Sequence, residues 1–269
     1  LPVSKQAEYV GVLRSTCCTN LPAITSCIAA HNKSLYSIIS VGMARNHREN
    51  PAASLRVEAT CSAPKLFSGL ATLILNKQET EILSVHRRLT LQQLQRLHPR
   101  TPAPALHFLS GSLPAAALLH LHHFTLFHMI SLLGPSNTLH QHALYTLHHQ
   151  SPNSWFAAVR IMSQQYDLPD PLLILSSPPP KMLYKSKVKR AVTSYWHAAL
   201  TAEAAEKRSL SYLRPAFLPL GQGHHPLWWT CGSSPSAVRA ATVQAKMLSG
   251  RYRTCWLRRH FGVGESESC

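Results

Sequence analysis

Apolar residues recur at helical spacing along most of the chain. The clearest stripe is Val238, Ala241, Ala245 and Leu248, with Ser234 placed to cap the helix, Pro235 in its first turn and Gly250 at a left-handed stop. Upstream, Ile24, Ile28, Leu35 and Ile38 predict a helix that ends near Gly42. Asn50-Pro51 predicts the start of a second helix, interrupted by Pro64 and Gly69. Asn76 followed by Glu79 has the pattern of a capping box, and Ile82, His86, Leu89, Gln93 and Leu97 are expected on one face of the helix beyond it. Pro114 opens another helix that Gly134-Pro135 closes, and the helix starting at Trp155 runs out at Asp167-Leu168-Pro169. From Met182 a long helix is expected, with Val188, Val192, Tyr195 and Ala199 on one face. The convincing strand pattern is Tyr9-Val10-Gly11-Val12-Leu13. The expected fold is mainly α: an irregular helical bundle with long proline-rich loops and at most a short N-terminal strand.

Proline punctuation suggests where this bundle divides. The segments from Pro99 to Pro104 and at Pro178-Pro179-Pro180 read as linkers, giving a helical region over 1–98, a His-rich region over 99–177 and a basic region over 178–269. Within the last region, Leu213 to Ser233 reads as a loop that holds Trp228-Trp229.

Charge changes the picture more than overall composition does. Apolar content is 45% and charged content only 14%, yet the formal net charge is +16 with a pI near 10.0. Between Lys181 and His260, fourteen Lys and Arg residues are opposed only by Glu203 and Glu206. Such an excess implies a polyanionic partner, RNA or DNA, held through phosphate contacts that weaken as salt rises. The candidate contacts are Lys185, Lys187, Lys189 and Arg190 on the long helix, with Arg239, Lys246, Arg251, Arg253, Arg258 and Arg259 toward the end of the chain. Tyr252, Trp256 and Phe261 interleave with the second set, and either stack on unpaired bases or pack on the helix before them. Trp155, Trp196, Trp228 and Trp229 read as core anchors.

Catalytic patterns are missing from the sequence. Asp167 and Asp170 are the only aspartates, and they lie in a Tyr-Asp-Leu-Pro-Asp-Pro turn. There is no Gly-x-Ser-x-Gly elbow, no phosphate loop and no His-Glu-x-x-His. His120, His123, His140, His142, His148 and His149 invite a metal reading, but no acidic residue lies between Glu81 and Asp167 to complete a ligand set. No metal and no cofactor are expected. Cysteines 17, 18, 27, 61, 231, 255 and 269 make an odd, irregular set without a secretory signal, so reduced thiols and an intracellular setting, nucleus or cytoplasm, are expected. Leu113 to Leu133 has the length of a membrane span, but His120, His122, His123 and His128 make a core helix the expectation, and no membrane partner.

One family resemblance runs along the chain in order. Residues 239–253, Arg-Ala-Ala-Thr-Val-Gln-Ala-Lys-Met-Leu-Ser-Gly-Arg-Tyr-Arg, resemble the "RATVKAQLLTGRYPL…CPLC" stretch downstream of the reverse transcriptase domain in animal non-LTR (LINE-type) retrotransposons. Tyr9-Val10-Gly11-Val12 is similar to that family's "YLG" strand, and Asn50-Pro51-Ala52-Ala53-Ser54 with Leu70 to its "NPxxS…YGL". Arg100-Thr101-Pro102 through Leu109-Ser110-Gly111-Ser112-Leu113-Pro114 resembles "RTPxxAxxLLxGxLP". Ser154-Trp155-Phe156, Tyr166-Asp167-Leu168-Pro169, Pro179-Pro180-Lys181, Leu210-Ser211-Tyr212-Leu213 and His225-Pro226-Leu227-Trp228 continue the series. Ser68-Gly69-Leu70 departs from the family's YGL, a change that suits a decayed copy. The resemblance implies a piece from downstream of the polymerase palm: 1–98 a thumb-like region, and Cys269 the first cysteine of a zinc cluster whose other ligands are absent. It further implies that any catalytic aspartates lie upstream of Leu1, leaving a non-catalytic fragment with residual sequence-independent RNA or DNA binding. The alternatives are an independent helical module that binds an acidic protein surface, and a translated remnant without function.

Overall fold

Asparagine and carboxylate side chains set where several helices begin. The computed structural model describes residues 6–9, 12–15, 19–39, 50–215, 218, 220, 221 and 223–250. The Asn50 side chain accepts the Ala52 N–H at 2.9 Å and starts α2 (Pro51–Val57). Proline does not stop this helix. Pro64 has no N–H for the carbonyl four residues back, and the chain widens into a π-helical turn (Glu58–Ser62), in which the Ala63 N–H bonds the Glu58 carbonyl, before α3 (Ala63–Leu66). The end comes at Gly69, whose φ of 74° leads into a short 3-10 turn, Leu70–Thr72.

The Asn76/Glu79 capping box forms as its spacing predicts. Glu79 N–H donates to Asn76 Oδ1 and Asn76 N–H donates to Glu79 Oε2, each at 2.9 Å, at the head of α4 (Lys77–Gln95). The same carboxylate also accepts the backbone N–H and the side-chain amide of Asn20, the residue before α1 (Leu21–Ile38). Burial pushes the Glu79 carboxyl up, but the hydrogen bonds from Asn20 and Asn76 outweigh it and hold the group below its ordinary value.

Ten further strands and α-helices, with a 3-10 turn at Arg208–Leu210, complete the elements among the described residues. They are a hairpin of β1 (Gln6–Tyr9) and β2 (Val12–Ser15), then α5 (Ala103–Ser110), α6 (Ala115–Ser131), α7 (Thr138–His148), α8 (Trp155–Gln165), α9 (Pro171–Ser176), α10 (Lys181–Ala205), α11 (Pro226–Thr230) and α12 (Pro235–Leu248). The fold is mainly α and irregular. The expected single strand over 9–13 is instead two short antiparallel strands with Tyr9 opposite Val12. Among the described residues, no helix is long and apolar enough to cross a membrane.

The described chain packs as two compact units. The first contains residues 1–42, 56–87 and 113–199, and the second 43–55, 88–112 and 200–269. Neither matches the consecutive regions 1–98, 99–177 and 178–269 that the proline segments suggested. Those prolines cap helices rather than link domains: Pro102 precedes α5, Pro104 is buried in its first turn, and the Pro180 carbonyl accepts the Tyr184 N–H of α10. In the first unit, Ile24, Leu66, Phe67, Leu70, Leu73, Leu83 and Leu119 share one buried cluster, and α6 packs against α7, α8 and α9. The second unit buries Leu106, Phe108, Leu109, Leu213, Trp228, Val238 and Ala245.

Two predicted helix faces are corrected. On α4 the inward positions are Leu83, Arg87, Leu91 and Leu94, whereas Ile82, Leu89 and Gln93 face out. Apolar spacing misleads there because the buried face carries polar residues. On α10 the inward ridge is Tyr184, Val188, Val192, Leu200 and Ala204, while Tyr195 and Ala199 are exposed. A ridge of four-residue steps drifts slowly round a helix, so a fixed stripe drawn along 25 residues misses it.

Candidate nucleic-acid interface

Among the described residues, the α10 cations and Arg239 are exposed, but the cations singled out by charge do not form one stripe. Lys185, Lys187, Lys189 and Arg190 all lie on α10 in the first unit, with Lys181 one turn earlier, and all are exposed. At about 100° per residue, Lys185 and Lys189 share a flank about 6 Å apart along the axis. Arg190 points away from the buried ridge, and Lys187 occupies the other flank. The set therefore fans round the exposed half of the helix. Among the described residues none of these five makes an ion pair, and no Asp or Glu lies between Asp170 and Glu203. Their field is uncompensated along the chain.

In the second unit, Arg239 is exposed and Lys246 half-buried on α12. Seven residues apart, they share one flank beside the buried Val238, Ala241 and Ala245, separated by about 10 Å along the axis. The α12 stripe and its Gly250 stop (φ 66°) are as predicted. Ser234 occupies the N-cap position, but its hydroxyl pairs with Ser236 at 2.9 Å instead of a helix N–H. Arg251, Arg253, Arg258 and Arg259 lie outside the described residues, as do Tyr252, Trp256, Phe261 and Cys269.

Both aspartates have structural employment. Asp170 caps α9, accepting the Leu172 N–H at 2.8 Å, and pairs with Arg160 at 3.3 Å. Asp167 sits at φ 52° in the turn that ends α8. The histidines also act mainly inside the fold. His120 Nδ1 accepts the Tyr166 hydroxyl at 2.6 Å, and that hydroxyl accepts the Trp196 indole N–H at 3.0 Å. Burial, with His123 nearby, lowers His120 to about 4, and burial raises Tyr166 to about 12 despite the Trp196 bond, so both stay neutral. His128 Nε2 donates to the Pro179 carbonyl at 2.9 Å while its ring stacks on Tyr184. Among the described residues, no three His, Cys, Asp or Glu side chains are placed to hold a metal ion. Cys27, Cys61 and Cys231 are free thiols.

Sequence reasoning missed two features. One is a buried ionic network in the first unit: Arg87 Nη1 donates to Glu58 Oε1, which also accepts His31 Nε2 at 3.4 Å, and His31 Nδ1 accepts His86 Nε2 at 3.0 Å. Burial lowers His31 to about 4, helped by the Arg87 charge, and lowers His86 to about 4, helped by His31. Arg87 stands at the spacing of Leu83, Leu91 and Leu94, and a charge on an apolar stripe was the available signal. The other is Trp229. Trp228 is fully buried, as a core anchor should be, whereas Trp229 is 56% exposed. Trp155 and Trp196 are half-buried, each donating its indole N–H, Trp155 to the Ala71 carbonyl at 2.8 Å.

The joint around these tryptophans is made of backbone. Gly221 N–H, His224 Nδ1 and His225 N–H donate to the carbonyls of Gly111, Ser110 and Leu109 at 2.7, 2.6 and 3.1 Å, satisfying the last turn of α5. Asn50 Nδ2 bonds the carbonyls of Trp228 at 2.7 Å and Gly232 at 3.0 Å. The Asn50-Pro51, Ser110-Gly111 and His225-Pro226-Leu227-Trp228 motifs thus meet in one unit as structural joints. Compared with family models, with curated proteins and with solved structures, the chain matches none, and the reading of the site rests on its own geometry.

Proposed function

We propose that the chain is a non-catalytic, sequence-independent RNA- or DNA-binding protein whose principal contact surface is α10. One observation carries the reading: five exposed, unpaired cations within ten residues of one helix, in a stretch with no acidic residue. Phosphate contact asks only for such charges on a stable backbone, and a fan of lysines meets a backbone from several directions without reading bases. Arg239 and Lys246 supply a second, smaller cationic flank. The resemblance to the region downstream of a non-LTR retrotransposon palm supports nucleic-acid binding in general, because thumb helices of that family grip template and primer, although α10 lies outside the thumb-like stretch 1–98. The structural roles of Asp167 and Asp170 fit a binding rather than a polymerising part.

The fan geometry makes the test specific. Lys185→Gln with Lys189→Gln removes two charges that can meet one strand together. It is expected to reduce the salt slope for a single strand by about 1.4, whereas Lys187→Gln alone reduces it by about 0.7. Unchanged slopes in both variants would remove α10 from the interface.

A second reading, a protein-interaction module, is favoured by one groove whose leucines would seat an apolar segment of a partner while Lys187 meets an acidic side chain beside it. A cavity of about 260 Å³ beside α9 and α10 is lined by Leu168, Leu173, Ile174, Leu183 and Lys187, with Leu173 65% and Leu183 66% exposed. Leu183→Ser would then abolish binding of an acidic partner and leave oligonucleotide affinity intact. Loss of oligonucleotide affinity instead would count against this reading.

A further inference from the structure

We propose that the groove beside α9 and α10 is a binding site for a small free carboxylate with an apolar chain, the chain lying among the groove's leucines and the carboxylate against Lys187. The inference takes the groove of the second reading and names a free ligand for it. Its consequence for strand binding rests on the nucleic-acid reading, because Lys187 belongs to both surfaces.

The walls of the groove suit an apolar occupant. Leu173 on α9 and Leu183 on α10 both line the cavity of about 260 Å³, and they stand 65% and 66% exposed. Ile174 and Val188, from the same two helices, line it too and are buried. Two leucines left mostly in water around one cavity are apolar area that a ligand chain can cover. Tyr184 also lines the groove, and its ring is held in place. It stacks on the His128 ring with centroids 4.6 Å apart, and His128 Nε2 donates to the carbonyl of Pro179, another lining residue, at 2.9 Å.

The charge of the occupant follows from the polar groups that the groove leaves unmet. Among the described residues, the lining holds the cation of Lys187 and no Asp or Glu, and Lys187 makes no ion pair. Asp167 and Asp170 flank the lining residues Leu168 and Pro169 in sequence, and Asp170 is paired with Arg160. The Tyr184 hydroxyl is buried with no hydrogen-bond partner. Burial holds that phenol above its ordinary value, so it stays protonated and keeps an unmet donor. An acceptor brought into the groove would meet this donor as well as the ammonium. One ammonium and one neutral hydroxyl balance a monoanion, and a carboxylate with two acceptor oxygens is the group that answers both.

The test is a calorimetric titration of the full chain with butanoate, hexanoate and octanoate, and with octanol as the uncharged control. Affinity is expected to rise about four-fold for each added methylene. Octanoate should bind about five-fold tighter than octanol. Lys187→Gln brings those two ligands to parity, and Leu183→Ser flattens the dependence on chain length. Both positions are exposed, and matching thermal melts confirm that the fold is intact. In a parallel salt series, saturating octanoate lowers the slope for a single-stranded oligonucleotide by about 0.7 and leaves the slope of Lys187→Gln unchanged. Octanoate that fails to bind, equal affinity at every chain length, or octanol as tight as octanoate would overturn the site, whatever the strand data show. A strand slope unmoved by octanoate would overturn the shared role of Lys187. A chain that binds octanoate as described but no strand would uphold the site and remove the nucleic-acid reading.

Discussion

The two units satisfy buried polar groups by different means. The first relies on ionisable side chains: Glu58 holds Arg87 and His31, His31 holds His86, and Tyr166 joins His120 to Trp196. The second relies on main chain and uncharged caps: the carbonyls of Leu109 and Ser110 in α5 and of Gly111 just after it meet His225, His224 and Gly221, and Asn50 ties α2 to α11. Ionic networks tie a fold to charge state, whereas a backbone joint ties it to steric fit. The first unit should therefore answer to pH and to charge-removing substitutions, and the second to added atoms.

The largest effect expected on this contrast is at Arg87. Arg87→Met leaves the Glu58 carboxylate buried beside His31 alone and should destabilise the first unit by about 3–5 kcal/mol. Replacing both partners, Glu58→Leu with Arg87→Met, should recover most of that loss in denaturant unfolding. A double variant as unstable as the single one would show that packing, not charge, governs the site. Next comes Gly111→Ala, where φ is +65° and the new methyl would collide with the Gly223 carbonyl. The loss there should be at least about 2 kcal/mol, seen as faster hydrogen exchange over residues 103–112 and 220–230. Exchange unchanged in those segments would remove the joint from the account.

Acidification should separate the units without mutation. His31, His86 and His120 have folded values near 4 against about 6.5 unfolded, so the unfolded chain binds more protons in that window. Stability they contribute is present above about pH 6.5 and is lost as pH falls from there toward 4. In the second unit, burial also lowers His225. Hydrogen exchange corrected for intrinsic rates should show the first unit opening more between pH 7 and 5, and equal loss in both units would contradict the comparison. The smallest effect concerns Gln150, held at φ 47° where α7 ends and Ser151 N–H reaches back to the Thr146 carbonyl at 3.1 Å. Glycine suits that left-handed position, so Gln150→Gly should stabilise by about 1 kcal/mol.

Caps were the most legible part of the sequence, because they depend on neighbours three residues away. Asn50, the Asn76/Glu79 pair and the Gly250 stop all occupy their predicted places, and Gly250 also needs its bare Cα, since a Cβ would lie 2.2 Å from the Ser209 carbonyl oxygen. Faces were harder. On α4, Thr90, Gln92 and Gln95 are buried as well as Arg87 while Ile82 and Leu89 are exposed, so the stripe drawn through Ile82 and Leu89 marks the wrong side. Proline segments were ambiguous in principle, since the same residue that stiffens a linker also opens a helix. The exposure of the α10 cations was readable because charge without a partner stays in water. Their fan round α10 was not, because it depends on which ridge turns inward. Adjacent tryptophans look alike in sequence, and only tertiary packing buries Trp228 while leaving Trp229 outside.

The measurement that bears most directly on the account is the affinity of the intact chain for two unrelated single-stranded oligonucleotides across a salt series. The account predicts that log affinity falls linearly with log salt, with the same slope for both sequences. Absence of binding at low salt, or affinity indifferent to salt, would contradict it.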